Sequence, residues 1–286
     1  MRYEYLEPTT IGDAVGLLSE HNGKAKVIAG GTDLVLQLRN KISRAEYVID
    51  ISRIPDLDYI KYDKKQGLSI GALTTIRGLE ESVELSQKYP ILCQAAGRLG
   101  SVAIRNVGTI GGNLCNASPS AENAPAFLGL SAKVKIAGPK NERIVSLDEF
   151  FLGPGQTVLK NDEVMTEIQV PLPEPNTTGV YLKHSIRGSI DLAIVGVAVI
   201  IELDGKFCKD IRIAMGAVGP TPMRAKKAEE IMKGNKFNKT IIEKCAKAAS
   251  EESKPITDVR ASAEYRKEMV KVLVMNGIDM AVKSGI

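Results

Sequence analysis

Two diglycine steps carry the residue pattern most able to do chemistry: "AGGTD" at 29–33 and "TIGGN" at 109–113. Each follows an apolar or β-branched residue and precedes a small polar one. A Gly-Gly step lets the backbone approach a ligand closely and turn its N–H groups outward. Consecutive N–H groups make an anion-binding concavity, and a helix N-terminus beside it adds a favourable dipole. Taken singly, either loop also reads as a plain tight turn. Taken as a pair, they point to a pyrophosphate held from both sides. The second loop lies in "NVGTIGGNLCNASPSAENAP", Asn106 to Pro125. That stretch is rich in donors and acceptors and poor in apolar weight. It predicts a long loop with little core, ordered by a large polar ligand.

Other chemistries lack their residues. No G-x-G-x-x-G follows a strand, and no G-x-x-x-x-G-K-S/T occurs, which disfavours Rossmann and P-loop sites. Cys93, Cys115, Cys208 and Cys245 form no C-x-x-C pair, and the histidines are His21 and His184. The spacings for a structural zinc or an iron–sulfur cluster are therefore missing, so no metal site is expected in this chain. The thiols read as reduced and mostly buried.

Composition narrows the class further. The 286 residues, 44% hydrophobic and 25% charged, describe a soluble globular protein of one large or two modest domains. The net charge of +4 is spread out, as in "RAKKAEEIMK", where lysines alternate with glutamates. With no Trp and 5% aromatics there is no base-stacking surface, so no nucleic-acid partner is expected. The longest apolar run, Leu192 to Ile201, is about half a membrane span, and the N-terminus has no apolar signal region. A cytoplasmic chain without membrane contact is the expectation.

The elements that must hold the two loops follow from periodicity. Ile11, Ala14, Val15 and Leu18 recur at helical spacing. Val27 to Ala29 reads as a short buried strand, Gly30-Gly31 as its turn, and Thr32 as the cap of a helix carrying Leu34 and Leu38 on one face. A hairpin is expected with its turn at Lys64–Gly67, then helices, the second with a stripe of Ile91, Leu92, Ala95, Ala96 and Leu99. Another hairpin turns at Pro139-Lys140-Asn141, and Ser146–Glu149 matches a capping box. Val164, Thr166, Ile168 and Val170 alternate as a half-buried strand. "PLPEPNTTG" (Pro171 to Gly179) is the natural boundary. Beyond it, two long apolar strands join at Asp204-Gly205, and three helices follow. This makes two α+β domains without the strict alternation of a doubly wound sheet.

The segments "AGGTDL", "IRNVGTIGGNLCNASPSAENAP", "FFLGPGQT", "YLKHSIRGSIDLAIVGVAV", "GAVGPTPMRAKKAE" and "RASAEYR" occur in this order. From Leu6 to the last helix, the chain resembles the FAD-binding (medium) subunits of the xanthine dehydrogenase and molybdenum hydroxylase family. It is similar to the flavin subunit of bacterial xanthine dehydrogenase and to the medium subunits of carbon-monoxide and nicotinate dehydrogenases. The resemblance implies an α+β fold. Residues 1–175 would be a two-part FAD-binding domain of the p-cresol methylhydroxylase and vanillyl-alcohol oxidase type. Residues 178–286 would be a smaller C-terminal α+β domain.

The resemblance also implies a site for non-covalent FAD. Val27, Ile28, Ala29, Gly30, Gly31, Thr32, Asp33 and Leu34 would lie along the cofactor through their backbone, with Gly30-Gly31-Thr32 at the pyrophosphate. Thr109, Ile110, Gly111, Gly112 and Asn113 would hold the other side of the phosphates and the ribityl chain. Glu122, where relatives often carry Asp, would accept from ribose or other FAD hydroxyls, and Met165 would pack on the cofactor. Lys183 would stand near the isoalloxazine, where a cation favours the reduced, anionic flavin; read from its residue type alone, it is equally a solvated strand lysine. Leu99 stands where animal xanthine dehydrogenases place an aromatic, and core packing accounts for it as well. His21 and His184 fall outside the positions of covalent attachment in the wider fold.

The implied reaction is electron transfer. A molybdenum-cofactor subunit would hydroxylate a purine or another N-heterocycle. An iron–sulfur subunit with two 2Fe–2S clusters would pass electrons to FAD, and hydride would leave for NAD. No acid or base residue of this chain is needed for that. The assembly implied is a dimer of heterotrimers. Other readings remain beside it: the FAD subunit of a nicotinate, aldehyde or carbon-monoxide dehydrogenase, or a redox-inactive nucleotide-binding subunit. Arg260 to Arg266 reads either as salt-bridging arginines or as a solvated helix start.

Overall fold

Capping residues divide this chain into many short elements. The computed structural model describes residues 3–188 and 190–285. β1 (Glu4–Leu6), α1 (Ile11–His21), β2 (Ala25–Ile28), α2 (Leu34–Arg39) and β3 (Tyr47–Asp50) come first. Their strands form a parallel sheet in the order β1-β3-β2. α1 starts where Thr10 accepts the N–H of Asp13 and stops where Asn22 turns left-handed. It buries Ala14, Val15 and Leu18, the positions its periodicity predicts.

A larger unit follows. β4 (Ile60–Asp63) and β5 (Gly67–Gly71) form the expected hairpin, with the Asp63 carboxylate accepting the N–H groups of Lys65 and Gln66 in the turn. The helices are α3 (Ile76–Glu81), α4 (Val83–Lys88), α5 (Pro90–Gly97), α6 (Val102–Val107), α7 (Ile110–Cys115) and α8 (Asn123–Gly129). Thr75, Ser82, Ser101 and Thr109 each cap one of them through the side chain. β6 (Lys133–Ala137), β7 (Glu142–Ser146), α9 (Leu147–Phe150), β8 (Phe151–Gly153), β9 (Gln156–Thr157) and β10 (Val164–Val170) complete the unit. The antiparallel sheet runs β4-β5-β10-β6-β7. β10 is its middle strand, so it is buried more fully than its alternation predicts. Ser146 precedes α9 as expected, but its side chain forms no capping bond.

The last unit holds β11 (Thr177–His184), β12 (Val195–Asp204), β13 (Phe207–Gly216) and β14 (Met223–Arg224), paired antiparallel in that order. α10 (Lys226–Met232), α11 (Lys239–Glu252) and α12 (Ala263–Gly285) cover one face. The other face gives Tyr181, Ala198, Ile200 and Ala214 to the core built by α3–α8. β12 is thus buried on both sides, which is why it reads as one continuous apolar run.

The stretch Asn106–Pro125 is not the long loop its composition predicts. It carries the end of α6, all of α7 and the start of α8. Residues 121–130 are buried throughout. Alanine, glycine and proline contribute core here by close approach rather than by bulk. A Cβ on Gly129 would lie 2.2 Å from Ile200 Cδ1, so with any other residue there the Ile200 side chain would have to shift for α8 to seat on β12.

Arg266 of α12 is the largest fully buried side chain, 1% exposed. Its Nη1 donates to the carbonyls of Ile194 (2.6 Å) and Ala217 (3.0 Å), and its Nη2 to Asp258 Oδ1 (2.8 Å). Asp258 also accepts from Arg260, so this arginine pair is structural and not a solvated helix start. Arg266→Met takes the guanidinium donor from two carbonyls and from Asp258, which keeps only its Arg260 and backbone partners. It is expected to lower the unfolding free energy by about 3–5 kcal/mol in urea denaturation.

Candidate functional site

A cavity of about 570 Å³ opens between the parallel-sheet unit and the helices after β5. Residues 27–34 line it throughout, and so do Thr109, Gly111, Gly112, Asn113, Glu122 and Met165. The two diglycine steps therefore meet at one cleft. Ile110 does not line it; that side chain is fully buried in the core beneath. Lys183 does not line it either, being buried behind Glu122. Leu99 does both things: it lines the cavity and packs on the core. Neither histidine lines it.

The two loops offer the cavity different things. After β2, a Cβ on Gly30 would sit 2.0 Å from the carbonyl oxygen of Val107, and Gly31 has φ +70. Both positions therefore require glycine. Among the described residues, the N–H groups of Gly30, Gly31, Thr32 and Asp33 have no acceptor. Thr32 is not the helix cap. Asp33 holds that position, in a helical conformation and without a side-chain capping bond.

In the second loop the N–H groups of residues 110–113 are already spent. Ile110 donates to Thr74 O, Gly111 to Ala72 O, Gly112 to Thr109 Oγ1 and Asn113 to Thr109 O. Its glycines serve packing: a Cβ on Gly111 would lie 2.7 Å from both Cβ and O of Ala72. One loop is a cradle of free donors, and the other is a wall pressed against the turn after β5.

Every ionisable carboxyl or base in the lining is an acid: Asp33, Glu122, Glu163 and Asp191. Burial alone raises the Asp33 pKa. Burial also raises that of Glu122, against the pull of Lys183. Glu163 is held below the usual carboxylate range by Arg143, which donates at 2.9 and 2.7 Å, and by the N–H of Lys160. For Asp191, burial is outweighed by the N–H of Arg187 and the charge of Lys183, so its pKa is lowered. Burial pushes the Cys115 thiol up to about 12, leaving it neutral and unreactive. Asp191 Oδ1, in the wall, and Asn123 Oδ1, behind Asn113, are buried acceptors with no partner among the described residues.

Some lining residues escaped the sequence reading. Gln37 reaches across from α2 to Asn116 at the end of α7 (3.0 Å). Ser118 and Ser120 face the cavity from the turn before α8, and Leu192 and Ile104 give it an aliphatic end. Glu163 precedes Val164, and its only signal was a carboxylate next to a buried strand.

The family profile for the FAD binding domain in molybdopterin dehydrogenase matches residues 1–173. The profile for the CO dehydrogenase flavoprotein C-terminal domain matches residues 180–281. The chain belongs to the molybdenum hydroxylase flavoprotein family. It is 32% identical over 279 residues to the xanthine dehydrogenase FAD-binding subunit of Escherichia coli O157:H7, covering 97% of this chain and 95% of that one. It is 33% identical to the carbon monoxide dehydrogenase medium chain of Hydrogenophaga pseudoflava, covering 98% and 97%. A solved structure of carbon monoxide dehydrogenase from that organism, lacking the Mo-pyranopterin moiety, aligns with TM-score 0.96 at 34% identity, over 99% of this chain and 98% of that one. The α+β architecture of an FAD-binding domain plus a C-terminal domain is thereby established for this flavoprotein family member.

Gly30→Ala and Gly111→Ala overpack backbone and are each expected to cost about 1–3 kcal/mol or more in chemical denaturation. Gly16→Ala on α1 meets nothing within 4 Å and should instead stabilise by about 0.5–1 kcal/mol.

Glu163 has a folded pKa below its unfolded value. Its contribution is therefore present above the unfolded carboxyl pKa, about 4.3, and is lost as pH falls through the folded one. Melting temperatures followed down through this range should fall less steeply for Arg143→Met than for the unaltered protein.

Proposed function

We propose that this chain binds FAD non-covalently and is the flavin subunit of a xanthine-type dehydrogenase. It would pass electrons from a partner's iron–sulfur clusters to NAD. The observation that carries the cofactor assignment is the run of N–H groups at Gly30–Asp33 without a partner, in a wall whose charged side chains are all carboxylic acids, among the described residues. Such a wall has no basic side chain for a diphosphate, and backbone donors are the group that suits one. The cavity has the size of a cofactor site. Asp191 Oδ1 is a buried acceptor for an N–H or O–H donor, and Leu99, Ile104 and Leu192 make an aliphatic surface for a flat ring.

When bound, FAD supplies the capacity to take up electrons singly and release them as a pair. The chain's own part is placement. In this reading residues 30–33 hold the diphosphate through N–H groups, Thr109, Asn113 and Glu122 meet hydroxyls, and Met165 with the leucines excludes water. Residues 1–175 form the FAD domain and 178–286 the C-terminal domain. The profile matches end at 173 and resume at 180, on either side of the proline-rich segment.

The partners in this reading are a molybdenum-cofactor subunit and a subunit with two 2Fe–2S clusters, in a cytoplasmic dimer of heterotrimers acting in purine metabolism. The medium chain and FAD-binding subunit names of the relatives support a multi-subunit enzyme. Carbon monoxide as the oxidised substrate is the second reading, favoured by the 33% identity and the TM-score of 0.96. The substrate is bound in a different chain in either case.

Purified from its native source, the complex is expected to show flavin bands that bleach with NADH, and to oxidise xanthine in preference to carbon monoxide or nicotinate. A colourless chain that takes up no added FAD overturns the cofactor assignment. Flavin that stays oxidised with NADH overturns the acceptor, and oxidation of carbon monoxide alone overturns the substrate.

A further inference from the structure

Lys183 lies on β11, in the part of the chain matched by the C-terminal family domain, yet its ammonium sits among the cavity walls. The side chain is 2% exposed. Nζ donates to the carbonyl of Arg98 (3.0 Å), to Glu122 Oε1 (2.9 Å) and to the carbonyl of Asp191 (2.6 Å). An ammonium has three N–H donors, so this one has none left for a ligand.

The three acceptors belong to three different walls. Arg98 ends α5 and leads into Leu99, Gly100 and Ser101 of the lining. Glu122 stands at the start of α8, and Asp191 lies in the segment between β11 and β12. Among the described residues, no other side-chain atom is hydrogen-bonded to all three segments.

We propose that Lys183 is a positioning residue. It is a keystone that draws three walls of the cavity together and holds the Glu122 carboxylate in place at the cavity, without touching the cofactor. The inference rests on the FAD reading only for the identity of that ligand. The ionisable groups around Glu122 are Lys183 and Tyr181 of β11 and Asp191, with Arg98 at the end of α5 acting on Tyr181. Of these, Lys183 is the group hydrogen-bonded to the carboxylate. Burial works to keep Glu122 protonated, and Lys183 opposes it. Without the ammonium, Glu122 faces the cavity either as an uncompensated buried charge or as a neutral acid.

The test uses Lys183→Met, Glu122→Gln and the double variant in the full chain. Hydrogen exchange of the apoprotein comes first. Exchange in Lys183→Met is expected to rise together in the segments around 99–101, 120–122 and 190–192, with α11 unchanged. FAD affinity, read by fluorescence quenching, is expected to fall about tenfold or more at about pH 8 in Lys183→Met. It should recover as pH is lowered and Glu122 takes a proton, and be partly restored at the higher pH by Glu122→Gln in the same chain.

Unchanged exchange, together with an affinity loss that is the same at every pH and additive with Glu122→Gln, overturns the proposal and makes Lys183 a direct contact. Equal affinity of Lys183→Met and the unaltered chain also overturns it. If the unaltered chain takes up no FAD, the cofactor reading fails, and the exchange pattern alone still decides the keystone.

Discussion

Among the described residues the charged side chains of the cavity wall are all carboxylic acids, so an anion there would have to meet uncharged donors, and the backbone N–H groups of residues 30–33 have no acceptor of their own. That constraint fixes the chain between β2 and α2. The strand must stop at Ile28, before its amides are consumed by pairing with β3. The helix must wait until Leu34, before its own ladder consumes the next ones. Between them Gly30 presses against the carbonyl of Val107, and Gly31 turns left-handed. The rest of the first unit serves that interval. The parallel sheet delivers β2 at the cavity edge, and α6 supplies the backbone against which Gly30 is seated.

The second diglycine shows why similar local sequences need not play similar parts. Gly111 and Gly112 lie at the same cleft, yet their amides are bound to Ala72 and Thr109. Sequence shows that glycine is present and cannot show which neighbour demanded it. At Gly31 the demand is conformational, at Gly30 and Gly111 it is the approach of another backbone. The distinction appears only when the partner strand or helix is in place.

Most of what depends on period and capping was legible in the residues. The stripe of α1, the hairpins at Gly67 and Gly205, the long buried strand β12 and the α+β class all follow from spacing and turn chemistry. The neighbourhood of both diglycines as one site also followed, because the pairing and the family motifs agree. Two things were hidden. Asn106–Pro125 looked too small and polar for core, yet its alanines and glycines pack where larger residues would not fit against β12 and the turn after β5. Lys183 offered a choice between solvent and the neighbourhood of a flavin; it is buried, so the solvated reading fails, and its ammonium is taken up by protein acceptors. Its partners come from residues 98, 122 and 191, a meeting that depends on β11 packing against α5 and on α8 packing against α5 and β12.

The buried guanidinium of Arg266 reaches further than α12. It holds the carbonyl of Ala217, and the N–H of that same residue reaches the carbonyl of Pro119 at 2.6 Å, in the turn that leads to Ser120 and Glu122. The far C-terminal helix and the cavity turn are thus joined through a single residue. A change that displaces the corner at Ala217 would therefore be felt on both sides, at the buried guanidinium and at the turn that carries Ser120 and Glu122.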